Sequence, residues 1–515
     1  MFQPQRIIAT HVVAACVLIL VLLTMTIWPV ESSAQLAKAT LGVPDFLATP
    51  CAATQSESEY GFGLLVPVEL NYEYPAKVVP DAGSDKFSVT TAGILPITFE
   101  VAENRYRSAP FDRSGSVLFS NTPKTAVAAF DDAANRRYPT LNWSGFLQVD
   151  TGWIYQDDAN VAAFGKVTPS TGLRRVRLRA DGNIQEATSY VIDLDFAASG
   201  HPGFRNVGLT FHAVPVLQDL EVGLLKTPFG MDALTSGREL LFMERQLPFA
   251  LVPFRQVMIG IRGASADQSA SWGASVYRMP TDSFGVYAGG DGGIAIAGRL
   301  TGVPVYENDG ASVLHIGGGY SVGSPGDGHV QYRIQPGFFT RDPGTDGADP
   351  GTVPVFLDTG NIPTNLFNLF NLELGMNAGP FHLAAEMRWA MLDPKAGPTL
   401  TFPGFYVQAS YVLTGENHRY SRERGVFQRV IPRRPFERGK GTGIGAWEAT
   451  LGYSSLDLND GNITGGRGET LAAGMNWYLT RNMKLQFNVL PGRLTKPGFS
   501  DSNVTVTALR AQVEF

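Results

Sequence analysis

Charge is scarce in this 515-residue chain. Asp, Glu, Lys and Arg together make 17% of it, where ordinary globular chains carry about 25%. That excludes a charge-rich disordered chain and a coiled coil. Only two cysteines are present, Cys16 and Cys51, so a disulfide scaffold is excluded. Histidine is rare too: His11, His201, His212, His315, His329, His382 and His418 show no HExxH or paired metal spacing. Neither a GxSxG elbow nor a Walker loop occurs, and no nucleophile–base pair is visible, so neither an enzyme nor a cofactor is expected. After the N-terminal segment there is no run of 18 apolar residues, and the mean hydropathy is -0.02. Composition therefore argues against a polytopic helical membrane protein. The 41 basic side chains are outnumbered by 47 acids, a net charge of -6. A nucleic-acid partner, which calls for a basic surface, is not expected. Glycine, in contrast, is abundant, at 57 residues.

The first residues have the layout of an export signal. Arg6 precedes an uncharged run from Val12 to Trp28, followed by Pro29, Glu31 and the small residues Ser32-Ser33-Ala34. The pattern predicts a signal peptide over 1–34, cleaved after Ala34. Residues 35–140 are mixed, with Pro and Ala clusters and weak strand-like pieces at Gly63–Leu70 and Ile94–Val101. They read as a poorly ordered periplasmic extension with room for one small hairpin.

From Leu141 the texture changes to segments of about ten residues that alternate apolar and polar, the strand period. Leu147, Val149, Trp153 and Tyr155 share one face, and Gln148, Asp150 and Gly152 the other. Phe381, Leu383, Ala385, Met387 and Trp389 oppose His382, Glu386 and Arg388, and Met483, Leu485, Phe487 and Val489 oppose Lys484, Gln486 and Asn488. A soluble sandwich uses strands of about five or six residues. A membrane barrel needs about 9–11, apolar toward lipid and polar toward the lumen. Lipid leaves no backbone group unpaired, so such a sheet must close. The expected fold is all-β: a transmembrane antiparallel β-barrel over 141–515 with inward-folded loops. About 17 strand-like segments can be counted. Placing His329–Phe339 inside a loop gives the even number a bacterial barrel requires, 16. Asn377-Ala-Gly-Pro380 then becomes a tight turn. Aromatics near segment ends (Trp153, Tyr155, Trp389, Tyr411, Tyr453, Trp477, Tyr478) suggest interfacial girdles. Three long excursions remain, at about 227–253, 322–363 and 415–442. The third lies on the periplasmic side, where turns are short, and is expected to fold into the pore.

The strongest local feature is Leu173-Arg-Arg-Val-Arg-Leu-Arg179. Arg175, Arg177 and Arg179 lie on one face at period 2. A lipid-facing arginine near the midplane costs ~2–4 kcal/mol, so all three should face the lumen. Two readings stay open: a cross-strand salt-bridge network with Asp193 and Asp195, or a ladder that passes anions from donor to donor. Parity also places Arg262, Arg388, Lys484 and Arg510 inward, and Arg333 in the inward loop. Arg419–Lys440 holds eight bases against two acids, a local reversal of the chain's sign. Rings of Arg and Lys are what anion pores use, because the guanidinium fork matches oxyanions bidentately.

Several stretches resemble the phosphate-selective porin O/P family of bacterial outer-membrane channels. They are LRRVRLRADGNI (Leu173–Ile184), VGLLKTPFGMDALTSGRELLFMER (Val222–Arg245), YVLTGENHRY (Tyr411–Tyr420), GAWEATLGYSSLDLN (Gly445–Asn459), GMNWYLTR (Gly474–Arg481) and the closing Leu509–Phe515. The motifs run in family order over about 141–515. The resemblance implies a 16-stranded barrel in the outer membrane, bedded in its lipid, with inward-folded loops. It also implies a homotrimer and a ladder of arginines leading to a constriction. The implied constriction lies in the loop after Lys226-Thr-Pro-Phe-Gly230 and involves Lys226, Ser236, Arg238 and Arg245. This chain reads Ala233-Leu-Thr-Ser236-Gly237 where characterised phosphate channels carry a Ser-Ser pair and a nearby Lys.

The function expected from residues and resemblance together is passive diffusion of phosphate, polyphosphate or other small anions. The proposed pathway comprises Arg175, Arg177, Arg179, Arg262, Arg333, Arg388, Lys484 and Arg510. A non-selective porin on the same scaffold and a plugged structural or adhesive barrel are the alternatives.

Overall fold

The computed structural model describes residues 138–515 apart from 198–201, 282–287, 336, 339–352 and 437–442. It also describes three short strands nearer the N-terminus, Val78–Pro80, Lys86–Val89 and Ile97–Glu100, which form one antiparallel sheet. The last falls within the strand-like Ile94–Val101. The signal-peptide reading over 1–34 and most of the extension before residue 138 lie outside the described residues.

The alternating segments become sixteen barrel strands. In chain order they are β1 Asn142–Gln156, β2 Ser170–Gln185, β3 Thr188–Asp195, β4 Gly203–Val214, β5 Gln218–Lys226 and β6 Arg255–Ala264. Next come β7 Ala270–Thr281, β8 Ala288–Glu307, β9 Ser312–Gly323, β10 Ile362–Ala378 and β11 Phe381–Pro394. The last five are β12 Leu400–Val412, β13 Ala446–Asp460, β14 Ile463–Tyr478, β15 Met483–Thr495 and β16 Ser502–Glu514. Each pairs antiparallel with its sequence neighbour. β16 closes onto β1 from Val504↔Gln156 to Glu514↔Phe146. Closure leaves no sheet edge to face lipid.

Side-chain orientation follows the period-2 reading. Ile294, Ile296 and Leu300 are exposed outward on β8, while Ala295, Ala297 and Arg299 are buried inward. Trp153, Tyr155 and Tyr411 face out near strand ends. Tyr478 does not join that girdle: it turns inward, fully buried, and donates its hydroxyl proton to Glu448 at 2.7 Å. It follows outward Trp477 by one residue, so pleating sends it to the other face. Gly379-Pro380 forms the tight turn between β10 and β11.

Both ends of the barrel chain lie at one end of the cylinder. Three long connections leave the wall. The inner loop (227–254) and the crown loop (324–361) start at the opposite end. The returning segment (413–445) starts at the end that carries the termini. Within the crown loop, His329–Val330 extends the ladder beside Ile362–Pro363, and Arg333–Ile334 pairs with Leu357–Asp358. The lumen is polar only in part. Toward the end remote from the termini, inward-facing Ile154, Leu392, Phe402, Leu456, Leu494 and Val504 form a buried apolar cluster with Phe249, Leu251 and Phe254 of the inner loop and Phe338 and Phe356 of the crown loop. Burying a side chain of that size contributes about 1.5–3 kcal/mol, enough to hold both loops inside the wall.

Candidate functional site: the polar lumen

The inner loop is seated by charge as well as by apolar packing. Glu244 receives Arg174 Nε at 2.8 Å, an Arg175 terminal nitrogen at 2.9 Å and an Arg510 terminal nitrogen at 2.7 Å. Burial alone would raise the pKa of this carboxyl; Arg174, Arg175 and Arg510 outweigh it and hold the group below its ordinary range. Arg510 also forks onto Asp150, with both contacts at 2.7 Å, and donates to the carbonyl of Met243. Arg174 reaches this cluster because of a bulge. The register runs Gln148↔Arg175 and then Val149↔Leu173, which leaves Arg174 as the extra residue.

The other residues singled out in the sequence fall into distinct places. Arg177 pairs with Asp195 at 3.0 Å, and Arg179 with Asp181 at 2.8 Å. Arg388 pairs with Glu386 at 2.8 Å and donates to Asn371 at 3.0 Å. Lys484 donates to the carbonyls of Arg238 and Leu240 in the inner loop. Arg333 lies in the small crown-loop sheet. Lys226 donates to the carbonyls of Leu234 and Thr235 at the end of the short helix Met231–Leu234. Arg245 donates to the carbonyls of Asp232 and Thr235 and lies over the rings of Phe249 and Phe254. Lys226 and Arg245 thus meet at one carbonyl, that of Thr235. Ser236 begins the turn that its carbonyl closes with the Glu239 amide. Arg238 lies 3.4 Å from Glu239 and 3.5 Å from Glu514.

The returning segment enters the lumen from the termini end and is pinned at several points. Arg299 of β8 forks onto Glu373 at 2.8 and 2.6 Å and donates to the carbonyls of Arg424 and Gly425. Tyr420 meets His315 at 2.7 Å. His418 contacts Glu448 through Nε2 at 2.5 Å and donates from Nδ1 to the Gln428 carbonyl at 2.8 Å. Burial would lower the His418 pKa, but Glu448 and the Gln428 carbonyl raise it above its ordinary value. Arg429 pairs with Glu514 and with Glu239 of the inner loop, so the two infolded segments are joined. The sequence reading missed Arg299, although the alternation over Ile294–Thr301 points it inward. Glu244, Glu373 and Glu448 gave no comparable signal, because their partners lie far away in sequence.

Between the wall and these segments lies a cavity of about 510 Å³. It is lined by five bases, Arg179, Lys226, Arg262, Arg299 and Arg424, and by four acids, Asp181, Asp219, Glu221 and Glu423. Arg262 contacts Glu221 at 2.6 Å and Asp219 at 3.6 Å. Among the described residues Arg424 has no carboxylate within ion-pairing distance. Enclosure by the barrel, with Arg262 and Arg179 nearby, lowers its pKa from the ordinary arginine value.

A closed sixteen-strand wall, apolar outside and charged within, with loops folded into its lumen, defines an outer-membrane porin. The phosphate-selective porin O and P family model matches residues 147–515, and the chain belongs to that family. It is 25% identical over 377 residues to Porin O of Pseudomonas aeruginosa, covering 67% of this chain and 83% of that one. It is 24% identical over 389 residues to an uncharacterized protein of Caulobacter vibrioides, covering 72% and 73%. Among solved structures, it is similar to the trimer form of OmpT of Vibrio cholerae (TM-score 0.45, 12% identity, 73% and 99% covered). It is similar also to an anion-selective porin from Comamonas acidovorans (TM-score 0.44, 12% identity, 73% and 99% covered). The chain is a porin of the bacterial outer membrane.

Proposed function

We propose that this porin passes small anions, phosphate among them, by passive diffusion through the chamber beside Arg179, Arg262 and Arg424. The observation that carries the reading is the convergence of these three guanidiniums, from β2, β6 and the returning segment, on one cavity. A low-dielectric wall focuses their field on that space. Arg174, Arg175 and Arg510 have a different part: the protein's own Glu244 occupies them, so they seat the inner loop. Arg177 belongs with neither group, since Asp195 holds it.

Membership of a family named for phosphate selectivity supports an anionic solute. The assembly that goes with this reading is a homotrimer embedded in outer-membrane lipid. The test is competition in planar bilayers: millimolar phosphate should reduce the chloride current through open channels. An unaffected chloride current means no phosphate site. A plugged, non-conducting barrel is the second reading, favoured by the apolar packing of the inner and crown loops across the far lumen. It predicts no conductance at all.

A further inference from the structure

We infer that the chamber favours singly charged anions over multiply charged ones, with Glu423, Asp219 and Glu221 setting that limit. The inference rests on the chamber being the anion path.

The five bases of the lining do not act as five free charges. Arg299 is neutralised by Glu373, and Lys226 spends its donors on two carbonyls. Arg179 leans on Asp181. Arg262 is shared by Glu221 and Asp219, and Asp219 also meets His212 at 2.9 Å. What remains for a solute is narrow. Arg424 is exposed to the chamber, and among the described residues no carboxylate pairs with it. Directly beside Arg424, Glu423 is exposed to the same space.

Among the described residues Arg424 is the one lining guanidinium with no paired carboxylate, and the wall's acids match its bases in number once Glu373 is counted with Arg299. The Born cost of leaving bulk water rises with the square of the charge, so a dianion loses about four times what a monoanion loses. Its attraction to Arg424 only doubles, and its repulsion from the carboxylates doubles too. A monoanion can accept hydrogen bonds from Arg424 and leave Arg262 to Glu221 and Asp219. A second or third negative charge on the solute finds only carboxylates to face.

The full-length porin in planar bilayers at pH 7.5 tests this, with chloride as the current carrier. Methyl sulfate, sulfate and pyrophosphate are added in turn as blockers of charge one, two and more. Methyl sulfate should half-block at a concentration roughly threefold or more below that of sulfate, with pyrophosphate weakest. Glu423→Gln and Asp219→Asn should each narrow the gap to less than about twofold, and channels that insert and conduct certify an assembled barrel. Sulfate or pyrophosphate blocking as well as methyl sulfate overturns the inference, as does the absence of block by all three. A gap unmoved by both substitutions overturns the assignment to these acids. The chloride-over-potassium preference, read from reversal potentials on the same membranes, separates the failures. Its loss sinks the anion path and this inference with it, whereas its survival beside a reversed blocking order sinks the charge limit alone.

Discussion

Glu244 stands 2.9 Å from Arg175, both side chains buried. An arginine on the lumen face of a β-strand is therefore occupied by a carboxylate delivered from a loop 69 residues later. The relationship converts part of an apparent anion ladder into a socket for the inner loop.

Glu244→Gln should unseat that loop. The substitution removes the carboxylate that Arg174, Arg175 and Arg510 share, Arg510 keeping Asp150, and breaking a buried pair from one side costs about 3–5 kcal/mol. The unheated, folded form of the protein should convert to the unfolded form at lower temperature on gels. Unit conductance should rise as the loop leaves the lumen. Unchanged melting and unchanged conductance would show that Glu244 does not hold the loop.

The returning segment should loosen as pH rises. The His418 pKa is raised in the folded protein, so its contribution is fully present below the ordinary histidine value of about 6.5 and is lost as pH climbs through the raised value. Amide exchange of residues 413–436, corrected for the intrinsic pH effect, should accelerate above neutrality. His418→Gln should flatten that dependence. Faster exchange toward acid pH would reverse the sign and refute the His418–Glu448 clamp.

Ile296→Arg should block assembly. Ile296 is 53% exposed on the outer wall, in register with outward Val276 and Val322. An arginine facing lipid near the midplane costs ~2–4 kcal/mol, so folding into vesicles should fail or slow sharply. Normal folding of the variant would place this face away from lipid.

Much of the wall was legible from residue order alone. Leu509 out and Arg510 in, or Phe487 out and Asn488 in, follow from pleating, which no tertiary contact needs to decide. The even strand count followed from treating His329–Phe339 as loop, although His329–Val330 does add a rung beside β10. The infolding of the returning segment was legible from its length and side. The occupants of the arginines were not. Arg174 faces the lumen through a bulge, which breaks the period-2 rule where it was being applied. Glu244, Glu239 and Glu448 meet their partners only after loops have folded back, and sequence spacing carries no trace of that distance. The apolar far lumen was hidden for the same reason: Phe254 and Phe338 read as loop residues until both loops pack on Ile154 and Val504.

The reversal potential across a planar bilayer under a KCl gradient probes the central claim most directly. The native channel should show a potential of the sign set by chloride. The variant with Arg179, Arg262 and Arg424 all changed to Gln should move it toward potassium by a clear margin. A native channel that prefers potassium, or a triple variant whose potential equals that of the native channel, would contradict the account.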